Sequence, residues 1–185
     1  MSELLKNQKF GVEVEFTGIT REMAANAVRE VVGGTISGPR NDCYRTRVIK
    51  DSHRRQWKVM RDSSITPKMN VGSANPDEYR VEFVTPPLKY EDIETLQNII
   101  RKFKEIGGVP HSSCGIHIHI DGANHTATSL RRMVNFMLSR QEIIYEALNI
   151  GARKDRWCKP ICKSLYDTMK NSVIIIIYCR IIIFL

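Results

Sequence analysis

An α+β domain, a mostly antiparallel sheet with helices packed on one face, is what this sequence predicts. Three observations carry the prediction: short segments alternate apolar and polar residues, longer ones repeat apolar residues at helical spacing, and no internal repeat or linker divides the chain. Its 185 residues are 42% hydrophobic and 26% charged, an ordinary globular balance with enough apolar material for a real core.

The elements follow in order. KFGVEVEF, residues 9–16, sets Val12, Val14 and Phe16 on one face and Glu13 and Glu15 on the other, as a half-buried strand does. Thr20 is placed to cap a helix whose apolar positions Met23, Ala24, Ala27, Val28 and Val31 keep helical spacing until Gly33 and Gly34 stop it. Short strands are expected around 43–49, 56–61 and 79–84, the turn-rich TPKMNVGSANPDE preceding the last. A second helix, from about Glu91 to Ile106, aligns Ile93, Leu96, Ile99, Ile100 and Phe103 and ends at Gly107 and Gly108. CGIHIHI, residues 114–120, turns Ile116, Ile118 and Ile120 one way. His117 and His119 turn the other way, about 7 Å apart. A third helix near Thr128 to Asn149 carries Leu130, Met133, Val134, Met137, Ile144 and Leu148, with Gly151 just beyond.

The formal charge of +8 is concentrated between Arg40 and Arg61, where eight Lys/Arg residues face only Asp42 and Asp51. Such a segment suits nucleic acid, an acidic substrate or a nucleotide phosphate, and equally a solvated loop face. Five cysteines, an odd number without CxxC spacing, argue against a disulfide framework or zinc ribbon and for reduced thiols. MSELLKNQKF lacks the apolar stretch of a secretory signal, so a cytoplasmic protein is expected. The ending VIIIIYCRIIIFL falls short of the ~20 apolar residues a spanning helix needs, and it contains Arg180. Its β-branched repetition has an aggregation-prone makeup, which points to a truncation or frameshift product over residues 173–185 rather than an evolved strand.

Polar groups stand opposite apolar neighbours in three strand-like segments: Glu13 and Glu15, Glu82 in YRVEFVTPPL, and His117 with His119. Each alone is also the pattern of a plain solvent face. Together they suit Mg²⁺ or Mn²⁺, hard ions that favour carboxylate and reach phosphate oxygens. Zinc stays open through the histidine pair, although the carboxylate excess argues against it.

GVEVEF, WKVMRDSSI, VEFVTPPL and CGIHIHI, in that order and followed by RWCKP, resemble the amidoligase family of carboxylate-amine ligases, related in fold to glutamine synthetase and glutamate-cysteine ligase. The resemblance covers residues 9 to about 162, making residues 1–172 the catalytic domain. It implies a glutamine-synthetase-like antiparallel sheet holding divalent metals and ATP. ATP would phosphorylate a substrate carboxylate, and an amine, from an amino acid or peptide, would attack the acyl phosphate. By that resemblance Glu13, Glu15, Glu82 and His117 are metal ligands and His119 an ATP contact or a support behind the ligands, with the plain solvent face of a strand as the alternative. Asp62 handles the substrate amine, with a capped turn as the plainer alternative, and Arg156 grips phosphate, with a solvated charge at the end of a helix as its alternative. The family also implies a late strand with a Glu-Phe-Arg type motif, which nothing after Cys162 matches, so the chain itself could be inactive.

Two other classes compete. A His-x-His strand also occurs in metal-dependent hydrolases, but a cupin needs more strands and a βα barrel ~250 residues. A basic nucleic-acid-binding protein would explain residues 40–61, though no recognised nucleic-acid motif accompanies the charge.

Overall fold

The computed structural model of the protein describes residues 3–69, 75–123, 125–155 and 158–171. Arg156 and the apolar tail lie outside the described residues. In chain order the elements are α1 (Glu3–Asn7), β1 (Phe10–Phe16), α2 (Arg21–Val32), β2 (Thr35–Ser37), β3 (Arg47–Lys50), β4 (Gln56–Met60), β5 (Val81–Val84), α3 (Ile93–Glu105), β6 (Ile116–Ile120), α4 (Ala127–Ala147) and α5 (Lys163–Asn171). The strands form one six-stranded sheet in the order β2-β3-β4-β5-β1-β6, and every pairing from β2 through β1 is antiparallel. Fold class and sequence prediction agree: α+β, with an antiparallel sheet and packed helices. By backbone proximity the chain divides into two compact units, Met1–His117 and Ile118–Leu185.

The core of the first unit lies on one face of the sheet. Register aligns Val14 with Phe83, Phe16 with Val81, Val59 with Phe83 and Ile49 with Trp57, so alternate residues of four strands share that face. Ala24, Ala27 and Val28 of α2, with Ile99 and Phe103 of α3, cover it. Phe103 packs against Phe16 at 4.7 Å and edge-on against Phe83 at 5.2 Å, joining helix to sheet through three rings. Thr20 caps α2 by accepting from the Met23 N–H at 3.2 Å. After the helix, Gly34 takes φ +86°, and a Cβ there would meet the Lys50 carbonyl oxygen at 1.9 Å, so only glycine lets the chain turn into β2.

Local differences from the sequence prediction have simple causes. Met23, expected in the buried stripe, is exposed, because the three alanines let α2 sit close to the sheet and the stripe centres on Ala24, Ala25 and Ala27. The strand expected at 43–49 begins only at Arg47, since the chain turns at residues 41–44 and Arg45 has φ +49°. β2, three residues long, is too short for a periodic signal.

Three cations of the basic segment are neutralised within the fold. Arg47 lies beside Glu78, Arg61 beside Asp77, and Arg55 beside both Asp51 and Asp92. Arg21, wholly buried, donates to the Asp77 carbonyl and to the Glu78 carboxylate at 2.8 Å, pinning the start of α2 to the turn before β5. These pairings remove three of the eight cations from any nucleic-acid patch.

In the second unit Thr126 caps α4 and exchanges hydrogen bonds with Ser129. The buried Gln141 amide donates to the Ile161 carbonyl at 3.1 Å and accepts from the Ile161 N–H at 2.8 Å, holding the segment before α5 against α4. No helix among the described residues is long and apolar enough to cross a membrane. Cys43, Cys114, Cys158 and Cys162 are free thiols.

Asp51 is the polar anchor of the β3–β4 hairpin. Its buried carboxylate accepts from the His53 and Arg55 N–H groups, each at 2.9 Å, from Arg55 Nε at 2.8 Å and from Trp57 Nε1 at 3.0 Å. Burial alone would push its pKa up, but the hydrogen bonds from Trp57 and Arg55 outweigh that and hold it below the ordinary value. Asp51→Ala should cost about 3 kcal/mol in urea unfolding at pH 7, because Trp57 Nε1 is left buried without its acceptor. A depressed folded pKa gives stability above the unfolded value that is lost in acid, so the deficit should shrink below about pH 4. A change under about 0.5 kcal/mol would show that water replaces the carboxylate.

Candidate functional site

The alternation that buries Val14 and Phe16 turns Glu13 and Glu15 to the opposite face of the sheet. Register sets Glu15 directly across from Glu82, and Met60 across from Glu82 on the other side. Directly opposed side chains in a ladder lie close enough to interact strongly, and like charges there are destabilising. Glu15 is buried, 8% exposed, and Glu82 is half-buried.

The neighbouring segments complete the arrangement. Glu15 is fixed twice by the residue that leads into β6: its N–H donates to the Gly115 carbonyl at 3.0 Å and its Oε2 accepts the Gly115 N–H at 2.8 Å. Two residues on, the His117 ring sits between the first two glutamates, Nδ1 2.9 Å from Glu13 Oε2 and Nε2 3.5 Å from Glu15 Oε1. From the end of β4, Asp62 enters on a turn that it caps itself, its Oδ1 accepting the Ser64 N–H at 2.6 Å. Arg80 fixes that turn by donating to the Ser63 and Ile65 carbonyls, and Ser113 accepts the Thr66 N–H at 2.8 Å.

Two groups of donor atoms result, Glu13–Glu82–His117 and Glu15–Asp62–Glu82, and within each group the ligand atoms all lie within 4.8 Å of one another. Glu82 belongs to both. Its carboxyl is pushed up to about 7, first by burial and then by the negative charges of Glu13, Asp62 and Glu15. Burial works against charge on His117 too, but its hydrogen bond to Glu13 and the charges of Glu15, Glu13 and Glu82 raise its pKa above the ordinary value. A divalent cation fits such a set, because four carboxylates and one imidazole offer mostly hard oxygen donors whose mutual repulsion it would relieve.

The structure thus brings together Glu13, Glu15, Glu82, His117 and Asp62. His119 follows His117 by two residues on β6 and is in neither group. Arg156 lies outside the described residues. Asp62 both caps its turn and joins the acid cluster, and the sequence could not show the second, which depends on the β4–β5 register. The backbone support from Gly115 was also missed, since no side-chain pattern announces it.

A family model described as "Putative amidoligase enzyme" matches residues 6–174 of the chain. No curated protein and no solved structure matches it.

The crowding of carboxylates sets a pH dependence for the metal-free protein. A Glu82 pKa of about 7, above the unfolded value of 4.5, means that the folded state binds more protons in that window, so stability falls as pH rises through it. The raised pKa of His117 has the same sign, its contribution being full below about 6.5 and lost as pH rises through the folded value. Melting in EDTA should therefore show Tm declining from pH 5 to pH 8, with Glu82→Gln flattening the decline and melting higher than wild type at pH 8. A variant as steep as wild type would mean that Glu82 is not the strained group.

Proposed function

The chain belongs to the amidoligase family, and from that premise we propose that it is an ATP-dependent carboxylate-amine ligase using Mg²⁺ or Mn²⁺. The observation that supports this most is the pair of three-donor groups sharing Glu82 on the face of the sheet opposite Val14 and Phe16. Glu13, Glu82 and His117 would hold one cation and Glu15, Asp62 and Glu82 another. Bound there, the metal supplies positive charge to the oxygens of the transferring phosphoryl group.

The chain's own residues supply position. Gly115 fixes Glu15 through both backbone and carboxylate, and Glu13 orients the His117 ring through Nδ1. The clamped turn holds Asp62 at the edge of the cluster, where its carboxylate also attracts an incoming substrate ammonium. Such preorganisation matters because phosphoryl transfer is chiefly a matter of alignment and charge neutralisation. The γ-phosphoryl group of ATP passes to a carboxylate oxygen of the acid, releasing ADP. The amine nitrogen then attacks the acyl carbon, the C–O bond to phosphate breaks, and amide, phosphate and a proton result. His119 and Arg156 are proposed as contacts to the nucleotide, and the acid and amine as amino acids or peptides.

Incubating the protein with ATP, Mg²⁺ and paired acids and amines should give ADP together with a product whose mass is the sum of both less water. Glu82→Gln should lower the rate by a hundredfold or more, the loss expected when a charged ligand of a phosphoryl-transfer metal is neutralised, while the fold is retained. AMP in place of ADP, or undiminished turnover by the variant, would contradict the proposal.

A further inference from the structure

The same face of the sheet carries a second feature that the acid cluster does not use. Glu13, Val84 and Lys58 form one row across β1, β5 and β4, so Lys58 faces the same side as Glu13 at about 10 Å, two strand spacings away. Lys58 and Gln56 line a cavity of about 320 Å³ with Arg55, Thr85, Pro86 and Pro87. The two lining cations are not equivalent. Arg55 is committed to Asp51 at 2.8 Å and to Asp92 at 2.7 Å. Lys58 is half-buried, and among the described residues no carboxylate lies within ion-pair distance of its ammonium. A partly desolvated lysine without a counter-charge is costly, and one beside an open cavity recovers that cost by taking an anion from solution.

We propose that Lys58 and this cavity form an anion subsite, which receives an oxyanion group from a molecule whose reacting end lies at the acid cluster. The identity of that molecule rests on the ligase reading, which leaves two sources: a phosphate of the nucleotide, or a second carboxylate on the acid substrate. Lys58 supplies the charge, and Gln56, exposed at the rim and aligned with Lys50 on that face, supplies an uncharged amide donor. The rigid Pro86–Pro87 wall adds no competing N–H.

The subsite can be tested apart from catalysis. The ¹⁵N-labelled full chain, in EDTA and 0.15 M salt, where a screening length of about 8 Å shortens the reach of the acid cluster, is titrated with inorganic pyrophosphate and separately with succinate. Saturable shifts of the Lys58 and Gln56 amides are expected with at least one anion. Tighter binding of pyrophosphate assigns the subsite to the nucleotide, and tighter binding of succinate to a dicarboxylic or acidic amino-acid substrate. Lys58→Met should weaken binding tenfold or more, as loss of a charge-assisted hydrogen bond does, and Lys58→Arg should restore it. Gln56→Glu, a change at an exposed position that the fold tolerates, should weaken it as well. Absence of saturable shifts with both anions, or wild-type affinity in both Lys58→Met and Gln56→Glu, overturns the proposal. Neither metal nor turnover enters the measurement, so failure of the ligase reading would leave this binding intact.

Discussion

The site depends on one pairing, Glu15 against Glu82 across the β1–β5 ladder. Two carboxylates directly opposed in a ladder, one buried and one half-buried, repel each other, and nothing in the ladder itself offsets that. The other face of the same strands holds them there. Val14 on Phe83 and Phe16 on Val81 fix the register, and a slip by one residue would exchange core and acid faces on both strands. The hydrophobic core is therefore what keeps the charges together.

The repulsion is moderated from three directions. His117 places its ring between Glu13 and Glu15, the Gly115 N–H donates to Glu15, and Glu82 retains its proton up to about pH 7. None of these is a permanent positive charge. The basic residues nearest in sequence serve elsewhere: Arg61 binds Asp77, and Arg80 clamps the turn that carries Asp62. A fold that directs its arginines to scaffolding and leaves the acid cluster to titratable partners has the electrostatics of a place for an added cation.

Much of this was legible in the sequence. Strict alternation in GVEVEF identified the strand, its core face and the two glutamates on the opposite face, and the same reasoning set His117 opposite the isoleucines of its strand. Helix boundaries came within two or three residues because Thr20 and the glycine pairs act locally. Pairing was not legible, since register is set by contacts between segments distant in sequence. Hence Asp62 was read as a substrate contact or a turn cap, and its approach to Glu15 and Glu82 emerged only when β4 was aligned with β5. Lys58 was one of eight cations in a run until the same alignment placed it in a row with Glu13. The basic run looked like a surface patch because its partners Asp77, Glu78 and Asp92 lie far along the chain.

The central claim is that this face of the sheet is a divalent-cation site organised around Glu82. Titration of the protein with Mn²⁺ at pH 8, followed by electron paramagnetic resonance of the free ion, tests it directly. Saturable binding that Mg²⁺ displaces is expected, weakened at least tenfold by Glu82→Gln and unchanged by neutralising an exposed acid elsewhere, Glu105→Gln. Mn²⁺ binding that is equally strong in wild type and Glu82→Gln, or equally sensitive to Glu105→Gln, would contradict it.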